Sequence, residues 1–269
     1  MAAEKRGRNK KMKYLFFSFI KFYLCEKHCF MKRVLLLLLV GVLFVSCGNR
    51  AINVSAELLP VGSAPSAEMA LAMRQLIAPY KADLDAKMNV EVGFCAMPMD
   101  VGRPESLLSN FVCDAMLKKA NEYMPTDFAL TNIGGLRKPI AQGVVTLRTV
   151  YEVMPFDNQV VLLDLSGQDV LALCNAIASV GGEGVSGITF GISGSKASDV
   201  KIGGKPLDVS RVYRVATTDY LSFGNDKMLP LLNRLQVYDL SLPLRDLILE
   251  AISGVQQMES NLDGRIYEK

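Results

Sequence analysis

Residue types able to grip a polar ligand gather between Asp127 and Asn158. Asn132 supplies an amide, Gly134 and Gly135 a bare backbone, and Arg137 a guanidinium; Phe156, Asp157 and Asn158 follow further along. Two adjacent glycines let the chain take φ > 0 or pass close to a ligand. An amide, a bare backbone, a cation and a nearby aromatic face suit a polar molecule that carries a ring. The same letters also describe an ordinary strand–turn–helix with an incidental hydrophobic turn, because glycine pairs are common punctuation. Other chemistries are excluded by what the chain lacks. Its one histidine is His28, near the start. A two-metal phosphoesterase centre holds its ions ~3.5–4 Å apart with several histidines and carboxylates. A Ser-His-Asp or Cys-His nucleophile needs an imidazole base. Neither can be assembled from the mature part of the chain, because His28 falls in the leader described below. Gly203-Gly204-Lys205 lacks the spacing and the following residue of a Walker phosphate loop.

The elements that must carry these residues are legible from periodicity. Asp127–Thr131 is a short apolar run typical of a buried strand. Thr146 is placed to cap a short helix that ends before Pro155. Upstream, Ser66 precedes a helix with Met69, Met73, Leu76 and Ile77 on one face, expected in the core. Asn89–Ala96 alternates as a strand, and Leu107, Leu108, Phe111, Val112, Ala115 and Met116 stripe a helix starting near Glu105. Val160–Leu165 reads as a strand. Ser166 caps a helix to about Ser179, with Val170, Leu171, Leu173, Cys174 and Ile177 facing inward. Residues 181–184 form a glycine loop. Ile188–Ile192, Val200–Ile202 and Val212–Thr217 read as strands, with Gly203-Gly204 as a hairpin turn. Arg245–Ile252 is a last amphipathic helix. Helices alternating with strands early and strands clustering late predict an α+β fold, a mixed sheet with helices packed on it.

Four motifs in order carry a family resemblance. Asn132-x-Gly134-Gly135-Leu136-Arg137 is followed by Met154-Pro155-Phe156-Asp157-Asn158. Glu105-Ser106-Leu107-Leu108-Ser109-Asn110, with Asp114-Ala115 after it, stands before them. Thr217-Thr218-Asp219-Tyr220 and Phe223-Gly224-Asn225-Asp226 stand after them. The set resembles the C-terminal, substrate-binding domain of the 5'-nucleotidase and UDP-sugar hydrolase family over roughly residues 90–235. The resemblance implies that Phe156 and Tyr220 sandwich a nucleobase, each stacked face worth about 1–3 kcal/mol. It implies that Asn132 meets the base edge, that Arg137 is directed at the ribose or phosphate side, and that Asp226 accepts from ribose hydroxyls. Arg103 lies near a further family arginine. Glu105, Asn110 and Asp114 read as structural. The chain departs from the family at Gly224-Asn225-Asp226-Lys227, where Gly-Gly-Asp-Gly is usual, and at Tyr220, where phenylalanine is common.

In that family the metals belong to a separate N-terminal metallophosphatase domain, and nothing in this chain resembles it. The chain therefore reads as the nucleoside- or nucleotide-binding half of a nucleotide hydrolase, with no cofactor of its own. Divalent metals are expected only in a separate metallophosphatase subunit. The alternative is a stand-alone, non-catalytic nucleoside- or nucleotide-binding lipoprotein.

The lipoprotein expectation comes from the start of the chain. Residues 1–46 divide at Met31 into a basic, aromatic-rich extension and a cleaner pattern: Lys32-Arg33, an apolar run Val34–Val45, then Ser46-Cys47. These are the parts of a secretory signal, and the run is short of the ~20 residues that span a bilayer. Cys47 resembles the acylated cysteine of bacterial lipoproteins, with Phe44 where leucine is more usual. Translation from Met31 and lipidation of Cys47 would place the protein in the periplasm or cell envelope; a signal-anchor from Met1 is the other reading. Residues 47–65 then form a tether and 66–269 the folded domain.

The leader also carries the basic charge. The whole chain has 30 Lys+Arg against 27 Asp+Glu, whereas residues 47–269 hold 20 against 25, a net of −5. No nucleic-acid footprint remains. Cys95, Cys113 and Cys174 lack metal-ligand spacing and read as small core residues; a disulfide between two of them stays open.

Overall fold

The computed structural model describes residues 67–269. The leader, Cys47, the tether and the Ser66 cap lie outside the described residues. Helix α1 (Ala67–Met88) leads to strand β1 (Glu91–Cys95), helix α2 (Leu107–Tyr123) and strand β2 (Phe128–Thr131). A 3-10 turn at Ile133–Gly135 follows, then β3 (Gly143–Thr146) and α3 (Leu147–Val153). Strand β4 (Gln159–Ser166), α4 (Gly167–Ser179), β5 (Gly184–Ser186), β6 (Ile188–Ser193), β7 (Lys196–Ile202) and β8 (Lys205–Pro206) come next. The chain continues through β9 (Val212–Thr218), α5 (Asp219–Ser222), β10 (Gln236–Pro243), α6 (Leu244–Ser253) and β11 (Ile266–Glu268).

The fold is α+β. Its centre is a five-stranded sheet in the order β10-β4-β9-β2-β5, mixed because β2 runs parallel to β9 while its other pairs are antiparallel. The expected single sheet is in fact three. Strands β1 and β3 form a two-stranded ribbon, and β11-β6-β7-β8 a separate four-stranded sheet. The division falls at Gly187, whose φ of +79° turns the chain out of β5 into β6. A Cβ there would stand 2.6 Å from the Asp127 carbonyl oxygen, so only glycine fits the corner.

Side-chain alternation along the central strands feeds two cores. On one face Val160, Leu162, Ala129 and Ala216 meet α2 (Leu108, Val112, Met116), α3 (Val150, Val153) and α6 (Leu247, Ile248, Ile252). On the other, Val161, Leu163, Leu165, Phe128 and Leu130 meet α4 (Val170, Leu173, Cys174, Ile177) and the second sheet (Ile188, Phe190, Val200, Ile202). Burial on both faces is why β4 reads as a continuous apolar run. Each fully buried Leu or Ile contributes about 1.5–3 kcal/mol relative to exposure.

Two expectations about the core are corrected. Of the α1 stripe, Met73, Leu76 and Ile77 do not enter it: all are exposed, with Leu76 at 65%, while the Met69 side chain lies outside the described residues. The amphipathic period is present, but no neighbouring element of the described chain covers it. Leu171 in α4 also faces outward, on the helix side opposite Val170 and Leu173. Cys95, Cys113 and Cys174 are free and buried, which settles the disulfide question for these three. Burial pushes all three thiols up, Cys174 to about 12. Among the described residues no helix is long and apolar enough to cross a membrane.

Candidate functional site

The loops that leave the central sheet at the ends of β2 and β9 face the turn between α3 and β4, and a cleft of about 260 Å³ opens between them. Asn132 ends β2 and opens the 3-10 turn, where Gly135 N donates to its carbonyl at 3.1 Å. A Cβ on Gly135 would stand 3.0 Å from the Asn132 Oδ1, so a bare backbone lets the amide lie over the turn. Arg137 is anchored by its backbone N–H to the Val153 carbonyl (2.8 Å), which ties this turn to α3. Among the described residues its guanidinium makes one hydrogen bond, 3.2 Å to the Gly134 carbonyl.

Helix α3 begins as expected, with a Thr146–Thr149 capping box. Its end delivers Phe156 to the opposite wall. Arg245 stacks 4.2 Å over the Tyr151 ring, donates to the Met154 and Phe156 carbonyls (3.3 Å each) and pairs with Asp157. The Phe156 ring is thereby presented on a braced turn.

Tyr220 sits on α5, started by Thr218, whose Oγ1 accepts from Leu221 N. Asp219 Oδ1 accepts from Gln159 N at 3.1 Å and binds α5 to β4. Asp226 completes the cleft. One of its oxygens accepts from Asn132 Nδ2 at 2.7 Å and the other from the Tyr220 hydroxyl at 3.0 Å. That hydrogen bond raises the Tyr220 phenol above its usual range, so the hydroxyl stays a donor. Asp226 and Lys227 both take left-handed backbone, φ 52° and 67°, at the place where the family pattern has glycines around its Asp.

Asn132, Arg137, Phe156, Tyr220 and Asp226 thus line one cleft, joined by Asn158, Gly134 and Gly135. Asn158 follows Phe156 in its motif and reaches the cleft for that reason. Arg103 does not line it. Its Nε donates to the Gly182 carbonyl (2.8 Å) and its Nη2 to Glu183 Oε1 (2.6 Å), behind the Asn132 turn. In sequence Glu183 is only part of a glycine loop, yet it is buried and its second oxygen accepts from Ile133 N. No local signal marks it, because a glutamate between glycines looks like a solvated turn. Burial pushes its carboxyl above the ordinary glutamate value, opposed by Ile133 N–H and Arg103.

Glu105, Asn110 and Asp114 make structural contacts. Glu105 accepts from Asn110 Nδ2 and from the backbone of Asp263 and Gly264. Asp114 pairs with buried Arg265. Among the described residues there are larger clefts, about 330 Å³ between α2 and α6 and about 290 Å³ beside Arg211 and Arg214. The first, lined by Lys118 and Lys119, pairs Lys119 with Glu122 and Glu250, and the second pairs its arginines with Asp127 and Asp164. Neither presents a free guanidinium beside aromatic faces. Among the described residues no group of three or more His, Cys, Asp or Glu is placed to hold a metal ion.

Residues 89–234 match the family defined as the 5'-nucleotidase C-terminal domain. The trifunctional nucleotide phosphoesterase protein YfkN of Bacillus subtilis is 34% identical over 57% of this chain and 12% of its own length. The 5'-nucleotidase of Vibrio parahaemolyticus is 30% identical over 58% of this chain and 29% of its own. The chain therefore spans less than a third of either protein. Among solved structures, a 5'-nucleotidase precursor from Thermus thermophilus superposes with a TM-score of 0.67 at 26% identity, covering 74% of this chain and 43% of that one.

Proposed function

Because the chain belongs to the 5'-nucleotidase C-terminal domain family, we propose that its cleft binds a nucleoside or nucleotide. The base lies between the Phe156 and Tyr220 rings, the ribose diol reaches Asp226, Asn132 meets the base edge, and Arg137 faces the phosphate side. The observation that supports this most is convergence. Asn132 and Asp226 lie 94 positions apart and are hydrogen-bonded across the cleft that both aromatic rings line. A ring-bearing polyol with one anionic end matches that set: two aromatic faces, a carboxylate acceptor, an amide and a cation.

Hydrolysis is assigned to a separate metallophosphatase polypeptide that carries the divalent metals, with this chain presenting the nucleotide. Lipidation of Cys47 after export would hold the pair at the cell envelope. In that case Cys47→Ala leaves an unprocessed protein; a Cys47→Ala protein processed and fractionating like wild type removes the lipoprotein part of the reading.

Calorimetry with adenosine and AMP tests the site. Phe156→Ala is expected to weaken both by about 1–3 kcal/mol, the loss of one stacking face. Binding of equal strength by wild type and Phe156→Ala would remove the sandwich.

A further inference from the structure

The cleft rests on a buried acid that contacts it only through the backbone. Glu183 is 3% exposed and bridges three segments distant in sequence. Oε1 receives Arg103 Nη2 at 2.6 Å, and Oε2 receives the Ile133 amide N–H at 2.5 Å. The loop that carries it is wedged in place. A Cβ on Gly182 would stand 2.4 Å from the Pro104 carbonyl oxygen, and one on Gly184 would stand 2.9 Å from Thr131 Cγ2. Ile133 is the residue after Asn132, so its amide belongs to the peptide that aims the Asn132 side chain. From Asn132 the bonds continue to Asp226 (2.7 Å) and from Asp226 to the Tyr220 hydroxyl (3.0 Å).

We propose that Glu183 is a positioning residue for the ligand cleft: by holding the Ile133 N–H, with Arg103 balancing its charge, it fixes Asn132 and through it Asp226 and Tyr220. This rests on the reading of the cleft as a nucleoside site, but not on any contact between Glu183 and the ligand. A buried carboxylate that loses its partners, or an amide that loses its acceptor, is costly to leave unpaired. The geometry therefore locks the turn into one arrangement before ligand arrives, which is what preorganisation requires. Because Glu183 acts through the peptide of Asn132, its loss weakens compounds with and without phosphate equally. A residue that touched the phosphate would affect AMP alone.

The test uses the full-length protein with Glu183→Ala and Glu183→Gln. Hydrogen exchange at the Ile133 amide is read without ligand, and the Kd values for adenosine and AMP by calorimetry. Glu183→Ala should expose the Ile133 amide to exchange and weaken adenosine and AMP alike by at least about tenfold. Glu183→Gln keeps an acceptor for Ile133 and should lose clearly less, which separates positioning from a general loss of fold. Unchanged exchange in Glu183→Ala overturns the brace. Faster exchange with unchanged Kd overturns its role in the cleft, as does a loss confined to AMP. If wild type binds neither compound, the nucleoside reading fails, while the exchange measurement still decides whether Glu183 holds the turn.

Discussion

Both oxygens of Asp226 accept a hydrogen bond, one from the Asn132 amide and one from the Tyr220 hydroxyl. A carboxylate offers about four lone-pair directions, so the ribose can be accepted without breaking either bond. In Asp226→Asn one of the two oxygens becomes an NH₂ that faces a donor already in place. Adenosine should therefore weaken by about 1.5–3 kcal/mol, while free adenine, which has no diol, should change little. Equal losses for the two would show that Asp226 shapes the slot and does not read the sugar. Glu183 adds a pH signature. Burial holds its carboxyl above the ordinary value of 4.5, so the folded chain keeps this proton more tightly than the unfolded chain does. That contribution to stability is complete below 4.5 and vanishes as pH rises through the raised value. The thermal midpoint of wild type, relative to Glu183→Gln, should thus climb as pH falls from neutral towards 4.5. A difference that stays constant with pH would mean that Glu183 is not held at a raised value.

Whole elements differ in how far local pattern decides them. Helices α2, α3, α4 and α6 and strands β2, β4, β6 and β9 are legible because each buries a periodic stripe or a continuous apolar run. The Thr146 cap is legible because capping is a property of neighbouring residues. Strand β10 is not. It is an edge strand with Ser241 at φ 50° and a register break between Asp239 and Pro243, so its pairing depends on β4 and not on its own letters. Helix α1 fails in the other direction, since its stripe predicts burial that the described chain does not supply. Leu76→Gln should accordingly change stability by no more than about 0.5 kcal/mol, against about 2–5 kcal/mol for Leu162→Ala in the core. A large loss at Leu76 would show that something covers α1. The turn after α5 makes its own prediction. Lys227 holds φ 67° without the freedom of glycine. Lys227→Gly should therefore stabilise by roughly 0.5–1 kcal/mol, the left-handed cost less the entropy that glycine brings. Chemical denaturation of the variant measures it, and a destabilised Lys227→Gly would point to a contact made by the lysine chain. The site follows the same division. Asn132, Arg137, Phe156, Tyr220 and Asp226 are brought to attention by motif resemblance, whereas Glu183 and the diversion of Arg103 need the packing of the 181–184 loop against Pro104.

At the scale of the molecule, the cleft sits where two cores share one sheet, and the chain end is clasped onto that body. Arg265 is buried and reaches Asp263, Asp114 and the Val185 carbonyl, tying the segment before β11 to α2 and β5. Its partners keep roughly half their side-chain surface exposed, so solvent screens them and the clasp is worth less than a fully buried pair. The body so assembled offers a ligand two rings, an amide, a guanidinium and a carboxylate, and among the described residues there is no histidine and no metal-holding group of acids and cysteines. The net charge of −5 over residues 47–269 gives no general attraction for phosphate either, and Arg137 is the cation that lines the cleft among the described residues. The proposed role of such a site is to hold and orient a nucleotide. The full-length protein, free of other phosphatases, should bind AMP and release no phosphate from it when Mg²⁺, Mn²⁺ or Zn²⁺ is added. Colorimetric phosphate release at saturating AMP measures this, with Phe156→Ala as the control. Metal-dependent release that falls away in Phe156→Ala would place the chemistry in this chain and end the assignment of hydrolysis to a partner. Release indifferent to Phe156→Ala would come from a contaminant and leave that assignment standing.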